Sequence, residues 1–456
     1  MAQNFRTKRI KFSGARNGHK FPIFETADGA NMQAPLMSQV SRSPRKPSRT
    51  GRPPNVAGDH KWTFQGRFRR QAFGWKSQPA IQRLKQALSE IKRVARGDLV
   101  LAADGAVILL ERLSPALEQV DSSSGAIGTA VNNAIAELVP IIARAPAATG
   151  VRESWLERLW TAHQADQIPY SESLADYWGE LCASKEVAST WADRLVGITR
   201  MALSPDKNLR GYFHGTSACL SALYRAERYS GIVDLLQGDQ LWQYKRWAVK
   251  ALDAMGKKRE AIEYAEACRG PWTSDAQVDE LCEGILLDLG QIEEAYERCG
   301  LRPRRGSTYL ASLKEVAKKY SHKSASEILA DLVNTTPGEE GKWFAAAKEV
   351  GLYDEALALA SRTPCDPKTL TRAARDFSDR QPSFALGAGL LALHWLTRGY
   401  GYEITGLDIW AAYSNTMKAA EKNGNASEIR EKVKQLVADE APGGFVRRVL
   451  GRELGL

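Results

Sequence analysis

From Gln78 onward, apolar side chains recur at helical spacing. Ile81, Leu84, Leu88, Ile91 and Val94 follow one another at intervals of three and four, Pro79 suits a first helical turn, and Gly97-Asp98 closes the run. This predicts an amphipathic helix. The same period returns over Leu99 to Leu113 and over Ala126 to Ala145, on either side of the capping-rich loop Asp121-Ser-Ser-Ser-Gly125. Further helices are expected at about 151–164, 171–183 and 185–203, and no stretch sustains the alternation of a strand. The expected fold class is therefore all-α.

Beyond position 206 the pattern becomes repetitive. Gly256-KKRE-Ala261-IEY-Ala265, Gly290-QIEE-Ala295-YER-Cys299 and Gly351-LYDE-Ala356-LAL-Ala360 share a glycine, four residues, an alanine, three residues and a small side chain. Gly424-NASE-Ile429-REK-Val433 is a degenerate fourth copy. A glycine at such a point lets the chain turn tightly between two helices, and small residues let the second helix approach the first closely. The first spacing, 34 residues, matches the tetratricopeptide unit; the next two, 61 and 73, leave room for one further degenerate copy each. The last pattern position is small rather than aromatic, and the Trp, Leu and Tyr positions are irregular. Helical-hairpin repeats forming a tetratricopeptide-like solenoid are expected over 206–456, with orthodox tetratricopeptide geometry left open. Residues 77–205 form an N-terminal helical region, either a separate domain or the first turns of the same solenoid.

Charge changes the picture at the N-terminus. Residues 1–76 hold sixteen Lys or Arg against three acids (Glu25, Asp28, Asp59), a net of +13, whereas the whole chain is +10, so the other 380 residues sum to −3. Rich in Pro, Gly, Ser and Arg, this stretch cannot bury enough apolar surface to offset its ordering entropy, and a largely disordered basic arm is expected. Such an arm is drawn to polyanions. Within it Ser43-Pro-Arg45-Lys46 resembles the SPKK-type motif of histone tails, and Gly51-Arg52-Pro53, close behind Arg49, resembles an AT-hook core. In both, proline keeps the backbone extended while cations enter a narrow minor groove. Thr50 stands where the hook usually has arginine, and a plain solvated linker is the competing reading. With Arg42, these cations are the arm's candidate nucleic-acid contacts.

The stretch KWTFQGRFRRQAFGWK (61–76) interleaves Arg67, Arg69 and Arg70 with Trp62, Phe64, Phe68, Phe73 and Trp75. It either stacks on single-stranded bases or docks its aromatics onto the first helices; docking is favoured, because exposed aromatics are costly.

The strings SPALEQVDSSSGAIGTAVNNAI (114–135), CDPKTLTRAARDF (365–377) and GYGYEITGLDIWAAYSNT (399–416) are distinctive. They resemble an uncharacterised, mainly bacterial family of all-helical proteins, a domain of unknown function, over about residues 70–435. The resemblance implies a helical protein and carries no catalytic residues with it.

Motif chemistry is sparse. The six histidines (His19, His60, His163, His214, His322, His394) form no HExxH or HxH arrangement, the six cysteines form no CxxC pair, and no Walker loop or GxSxG elbow is present. No catalytic, cofactor or metal site is expected. Reduced, mostly buried thiols, the lack of a secretory signal, and no run of about 18 apolar residues to span a bilayer point to a cytoplasmic protein without a membrane span. Thr405 and Asp408 form a capping box after Gly399-Tyr-Gly-Tyr402-Glu403, whose Tyr400 and Tyr402, with Trp410, either line a pocket with Glu403 or, the favoured reading, plug the core of a tight helix connection. In Leu241-Trp-Gln-Tyr-Lys-Arg-Trp247, Tyr244, Ala248, Ala251 and Met255 follow the buried spacing. Trp242 and Arg246 fall on another face, either as partner contacts or, for the Trp, tucked under the next repeat.

The leading expectation is a non-enzymatic scaffold whose repeats bind a protein or peptide partner, its basic tail adding salt-dependent attraction to nucleic acid. The alternative is a DNA- or RNA-binding protein in which the arm is the main binding element; a third reading, an enzyme with a novel helical active site, would need perturbed carboxylates converging in one pocket.

Overall fold

The computed structural model describes residues 60–166, 168–206, 208, 210–238, 241–271, 273–302, 308–441 and 443–456, and every regular element among them is helical. The described residues divide into two compact units, one holding those from His60 to Ala183 together with Asp193–Cys219, the other Ser184–Ala192 and Leu220–Leu456.

The first unit is built on α1 (Ser77–Val94), α2 (Leu99–Leu117), α3 (Ala126–Arg144), α4 (Thr149–Gln164) and α5 (Trp178–Cys182), with a 3-10 turn over Glu172–Tyr177 before α5; of α6 (Lys185–Ala202), which follows, the residues from Asp193 on belong to it. The expected helices are present within a few residues of their expected ends; only 171–183 divides, into the 3-10 turn and α5. Asp98 caps α2, its carboxylate accepting from the Leu101 N–H at 2.9 Å. α2 buries Ala102, Ala106, Leu109, Leu113 and Leu117 against α1, α3 and α4. Contrary to expectation, α3 is by length and composition apolar enough to cross a membrane. Asn132, Asn133 and Glu137 interrupt its run of apolar residues without lowering the average far enough. In this unit α3 buries Ile127, Val131, Ile135, Leu138 and Ile142.

The aromatic stretch docks. Trp62, Phe64, Phe68 and Phe73 are buried and packed ring on ring in sequence, with centroids 5.4, 6.4 and 5.3 Å apart. Each contributes roughly 1.5–3 kcal/mol on burial, which outweighs leaving the ring in water. Gly105 makes the fit possible, because a Cβ there would collide with the Trp62 ring. Polar ties fix the path: the Gln71 N–H donates to Pro115 O at 2.8 Å and Arg112 Nη1 to Gln65 O at 3.0 Å.

From α7 (Thr216–Arg225) onward the helices come in pairs. α7 is followed by α8 (Tyr229–Leu236), α9 (Trp242–Ala254) by α10 (Lys258–Ala267), and α11 (Asp275–Asp288) by α12 (Ile292–Ala295), which runs into a π turn at Tyr296–Gly300. Next come α13 (Tyr309–Lys319) with α14 (Ala325–Asn334), α15 (Phe344–Glu349) with α16 (Tyr353–Arg362), α17 (Pro367–Phe377) with α18 (Pro382–Thr397), α19 (Gly406–Lys422) with α20 (Ala426–Ala438), and a last helix, α21 (Phe445–Leu454).

Gly256, Gly290, Gly351 and Gly424 all take a left-handed conformation, at φ 77, 73, 83 and 74°. At each, the glycine N–H bonds back to the third residue before it and the next N–H to the fifth before that residue, as in Gly290 N to Leu287 O and Gln291 N to Leu286 O, both 2.9 Å. This is the Schellman closure of a helix C-terminus, present at all four and again at Gly399 after α18, where Gly399 N bonds to Leu396 O and Tyr400 N to Trp395 O, both at 3.0 Å. The paired small positions Ala261 and Ala265, Ala295 and Cys299, Ala356 and Ala360, Ile429 and Val433 are all buried.

The same closure occurs once without glycine. Glu227 stands at φ 59°, Arg228 N donates to Leu223 O at 2.9 Å, and Ile232 and Leu236, five and nine residues on from Glu227, are buried. The α13–α14 and α17–α18 pairs fill the two long intervals with different turns, a capping box at Ser324 and a proline at the start of α18. Because nothing crowds the missing Cβ of Gly290, Gly290→Ala tests backbone strain alone. It is expected to cost about 1 kcal/mol in urea unfolding, and an unchanged midpoint would argue against the strain.

Candidate functional site

The second unit holds a pocket of about 270 Å³ beside α11, the π turn, α13 and α14. Its construction starts on α11, whose buried arc is wide enough to include two acids one turn apart, Asp279 and Glu283, alongside Val278, Cys282 and Leu286. A buried carboxylate is tolerable only with partners. Asp279 Oδ1 accepts from Arg269 Nη2 at 2.5 Å and pairs with Arg302 Nη1 at 3.3 Å. Glu283 accepts from Lys319 Nζ and from the Tyr320 hydroxyl, both at 2.7 Å. Arg269 continues the network to Glu266, which also meets Arg298 at 3.3 Å.

The π turn brings Tyr296 and Tyr320 into an edge contact at 5.0 Å and sets Gly300 against the Tyr320 ring, where a Cβ would approach to 2.8 Å. Burial, then the bond to Glu283, pushes the Tyr320 hydroxyl well above its ordinary range, so it stays a donor. Burial likewise pushes the Cys299 thiol up to about 11 and the Cys282 thiol up to about 12, which removes thiolate character from both.

At the rim, Tyr309 donates to Glu339 Oε2 at 2.6 Å, and Lys342 reaches Glu339 Oε1 at the same distance. Glu339 is held below the usual carboxylate range by Lys342 first and Tyr309 second. Trp343 lies edge-on to Tyr309 at 4.8 Å, its Nε1–H bonded to Thr336 Oγ1. The pocket thus joins an apolar floor (Val316, Leu332, Trp343) to a rim carrying cations (Arg302, Lys319) and carboxylates (Glu315, Glu339). Such a lining can hold an apolar side chain and meet flanking charges of either sign. Among the described residues no group of three or more His, Cys, Asp or Glu is placed to hold a metal ion.

Sequence reasoning singles out none of these residues. Acids four apart on a helix read as a solvated face; the available signal is that Asp279 and Glu283 adjoin the apolar positions of α11 rather than oppose them.

The sequence-predicted contacts are scattered. Arg42, Arg45, Lys46, Arg49 and Arg52 lie outside the described residues. Arg67, Arg69 and Arg70 are exposed on the docked stretch, with Arg70 meeting Glu118 at 3.3 Å. Trp242 is only 6% exposed and belongs to the core with Val249 and Leu252, so its ring is not offered to a partner. It opens α9, and α8 packs against that helix. Arg246 is half-buried, its Nε donating to Gln243 O and its guanidinium 5.8 Å from the Trp247 ring. Met255, expected inside, is exposed at the end of α9. The aromatics after α18 also depart from expectation: Tyr402 is 81% exposed, and Tyr400 and Trp410 are exposed as well. The capping box of Thr405 and Asp408 forms as expected, while left-handed Gly399, Gly401 and Glu403 turn the tyrosines outward.

No known family model matches the chain, and no curated protein is significantly similar to it, so the family resemblance rests on the strings at 114–135, 365–377 and 399–416.

Proposed function

We propose that this chain is a non-enzymatic helical-repeat scaffold. Its hairpins form a tetratricopeptide-like solenoid, the pocket beside α11 and α13 takes a short segment of a protein partner, and the basic arm adds salt-dependent attraction to nucleic acid. The observation that carries the reading is the repeated closure: five hairpin turns share one hydrogen-bond pattern and bury the same paired positions. Repeats of this kind serve chiefly to present extended binding surfaces. The test is a displayed peptide library panned on the full chain and counter-screened on Arg302→Ala and Tyr309→Ala. Peptides that bind the native chain and are lost on both variants are expected; a library yielding none that depend on the rim would sink the reading.

A second reading makes the arm the main binding element for DNA or RNA. The exposure of Arg67, Arg69 and Arg70 at the point where the arm joins the first unit favours it.

A further inference from the structure

Attraction to nucleic acid need not reside in the arm alone, because the first described helix carries an exposed row of cations. α1 buries Ala80, Leu84, Ala87, Leu88 and Ile91, which leaves Lys85, Lys92, Arg93 and Arg96 directed away from the core along its outer side. Lys85 and Arg96 are eleven residues apart, about 16 Å at a rise of 1.5 Å per residue, a row long enough to meet successive phosphates of one strand. Beside this row, Arg67 of the docked stretch and Arg83 of α1 both donate to Gln86 Oε1, at 3.2 and 2.9 Å. Two like charges are thereby held side by side with no carboxylate between them.

Of the acids nearby, Glu90 accepts from Thr63 and Glu118 from Arg70, while Glu137 pairs with Lys92 at 2.6 Å and neutralises that one member of the row. Arg69, Arg83, Lys85, Arg93 and Arg96 have no ion pair among the described residues. A helix C-terminus favours cations in its last turn, which accounts for Arg93 and Arg96, but that influence fades within a turn and does not extend to Arg83 and Lys85.

Two further observations name the occupant. Trp75, just before α1, is 72% exposed although its carbonyl is fixed by the Asp121 N–H at 2.9 Å. It is a flat ring on a rigid mount, suited to stacking on an unpaired base. The chain before His60 holds eleven Lys or Arg against three acids, and the His60 ring packs on Trp62 at 4.5 Å. An anionic membrane fits less well, because the apolar side of α1 is turned inward and Trp75 stands without aliphatic company.

We infer that the outer side of α1, with Arg67 and Trp75, is a binding surface for single-stranded nucleic acid. This inference rests on the nucleic-acid part of the proposed function.

The experiment uses the full chain throughout, titrated with labelled oligo-dT, with its duplex, and with vesicles of phosphatidylserine and phosphatidylcholine, over a rising salt series. Three variants are compared: Arg83→Gln with Lys85→Gln, Arg93→Gln and Arg96→Gln; Trp75→Ala; and an arm variant with Arg42, Arg45, Lys46, Arg49 and Arg52 all changed to Gln. Gln preserves helix propensity, and thermal melts confirm that each variant folds. The α1 variant is expected to lose at least about tenfold in oligo-dT affinity at low salt, and its log–log salt slope to fall by about 0.7 per lost phosphate contact. Trp75→Ala is expected to lose at least about fivefold on oligo-dT and little on duplex. If the α1 variant binds as the native chain does while the arm variant fails, the α1 surface is overturned and the arm reading survives. No oligonucleotide binding by the native chain overturns both. Binding of vesicles in place of oligonucleotide, or duplex bound as tightly as oligo-dT, overturns the single-strand assignment.

Discussion

Replacing Arg152 with methionine is expected to cost the first unit about 3–5 kcal/mol, the range for removing one partner from a buried charged contact. Arg152 lies in the first turn of α4 with its side chain turned into the protein, and its guanidinium donates to four carbonyls: Ile142 and Leu181 at 3.1 Å, Ala145 at 2.6 Å and Ala143 at 3.5 Å. The four cluster at the C-terminal ends of α3 and α5, where Ile142 O also takes the Ala145 N–H and Ala145 O the Ala147 N–H, and the guanidinium supplies the remaining donors. One cation therefore closes two helices. Burial lowers the affinity of Arg152 for its proton, but a guanidinium remains charged, and the converging carbonyl ends supply the negative potential that no carboxylate provides. Methionine would preserve volume and leave the carbonyls facing an apolar wall. Lysine would keep the charge without the fork, so Arg152→Lys is expected to lose about half as much. Guanidinium-chloride unfolding followed by tryptophan fluorescence reads both. A loss below about 1 kcal/mol for the methionine variant would mean that water replaces the guanidinium, and that Arg152 does not close the two helices.

Acid is expected to weaken the same unit through His163. This ring is fully buried, 3.2 Å from His214 O through Nε2 and 4.1 Å from the His214 ring centre. Burial first, and the His214 ring second, push its pKa down to about 4 from 6.5. The unfolded chain takes up the proton below 6.5, whereas the folded chain resists until about 4. The unfolded state thus binds more protons in that window, and stability falls as the pH falls through it. At 1.36 kcal/mol per pKa unit the loss reaches about 3 kcal/mol. Carboxylates titrate toward the lower end of the window, so the measurement is a difference: urea midpoints of the native chain and of His163→Gln across the range. The native chain should lose stability more steeply than the variant. Parallel curves would show that the imidazole is already accessible to solvent.

Much of this architecture can be read from the sequence because periodicity and glycine report on local geometry. The run from Ile81 to Val94 yields α1, and the glycines at 256, 290, 351 and 424 mark four turns whose left-handed backbone favours that residue. Where another residue carries the strain, the signal vanishes. Glu227 adopts the same turn without glycine, so the α7–α8 hairpin escapes the pattern. Burial of polar groups is harder still, since it depends on partners distant in the chain: Glu283 is accommodated by Lys319 and Tyr320, more than thirty residues away. Trp242 shows the converse, a residue off the apolar stripe of its own helix that is covered nonetheless. The charge of the arm is legible at once, but the α1 surface emerges only when Arg67 and Arg83 are seen to share Gln86.

The cysteines give this chain an internal clock. Cys182 ends α5, Cys219 lies in α7, Cys268 follows α10, Cys282 is in α11, Cys299 is in the π turn and Cys365 precedes α17, and every one of these thiols is buried. A thiol reagent can reach each of them only when its surroundings open, so alkylation rates resolved by peptide mass would time the breathing of successive hairpins in the unaltered protein, without any introduced probe.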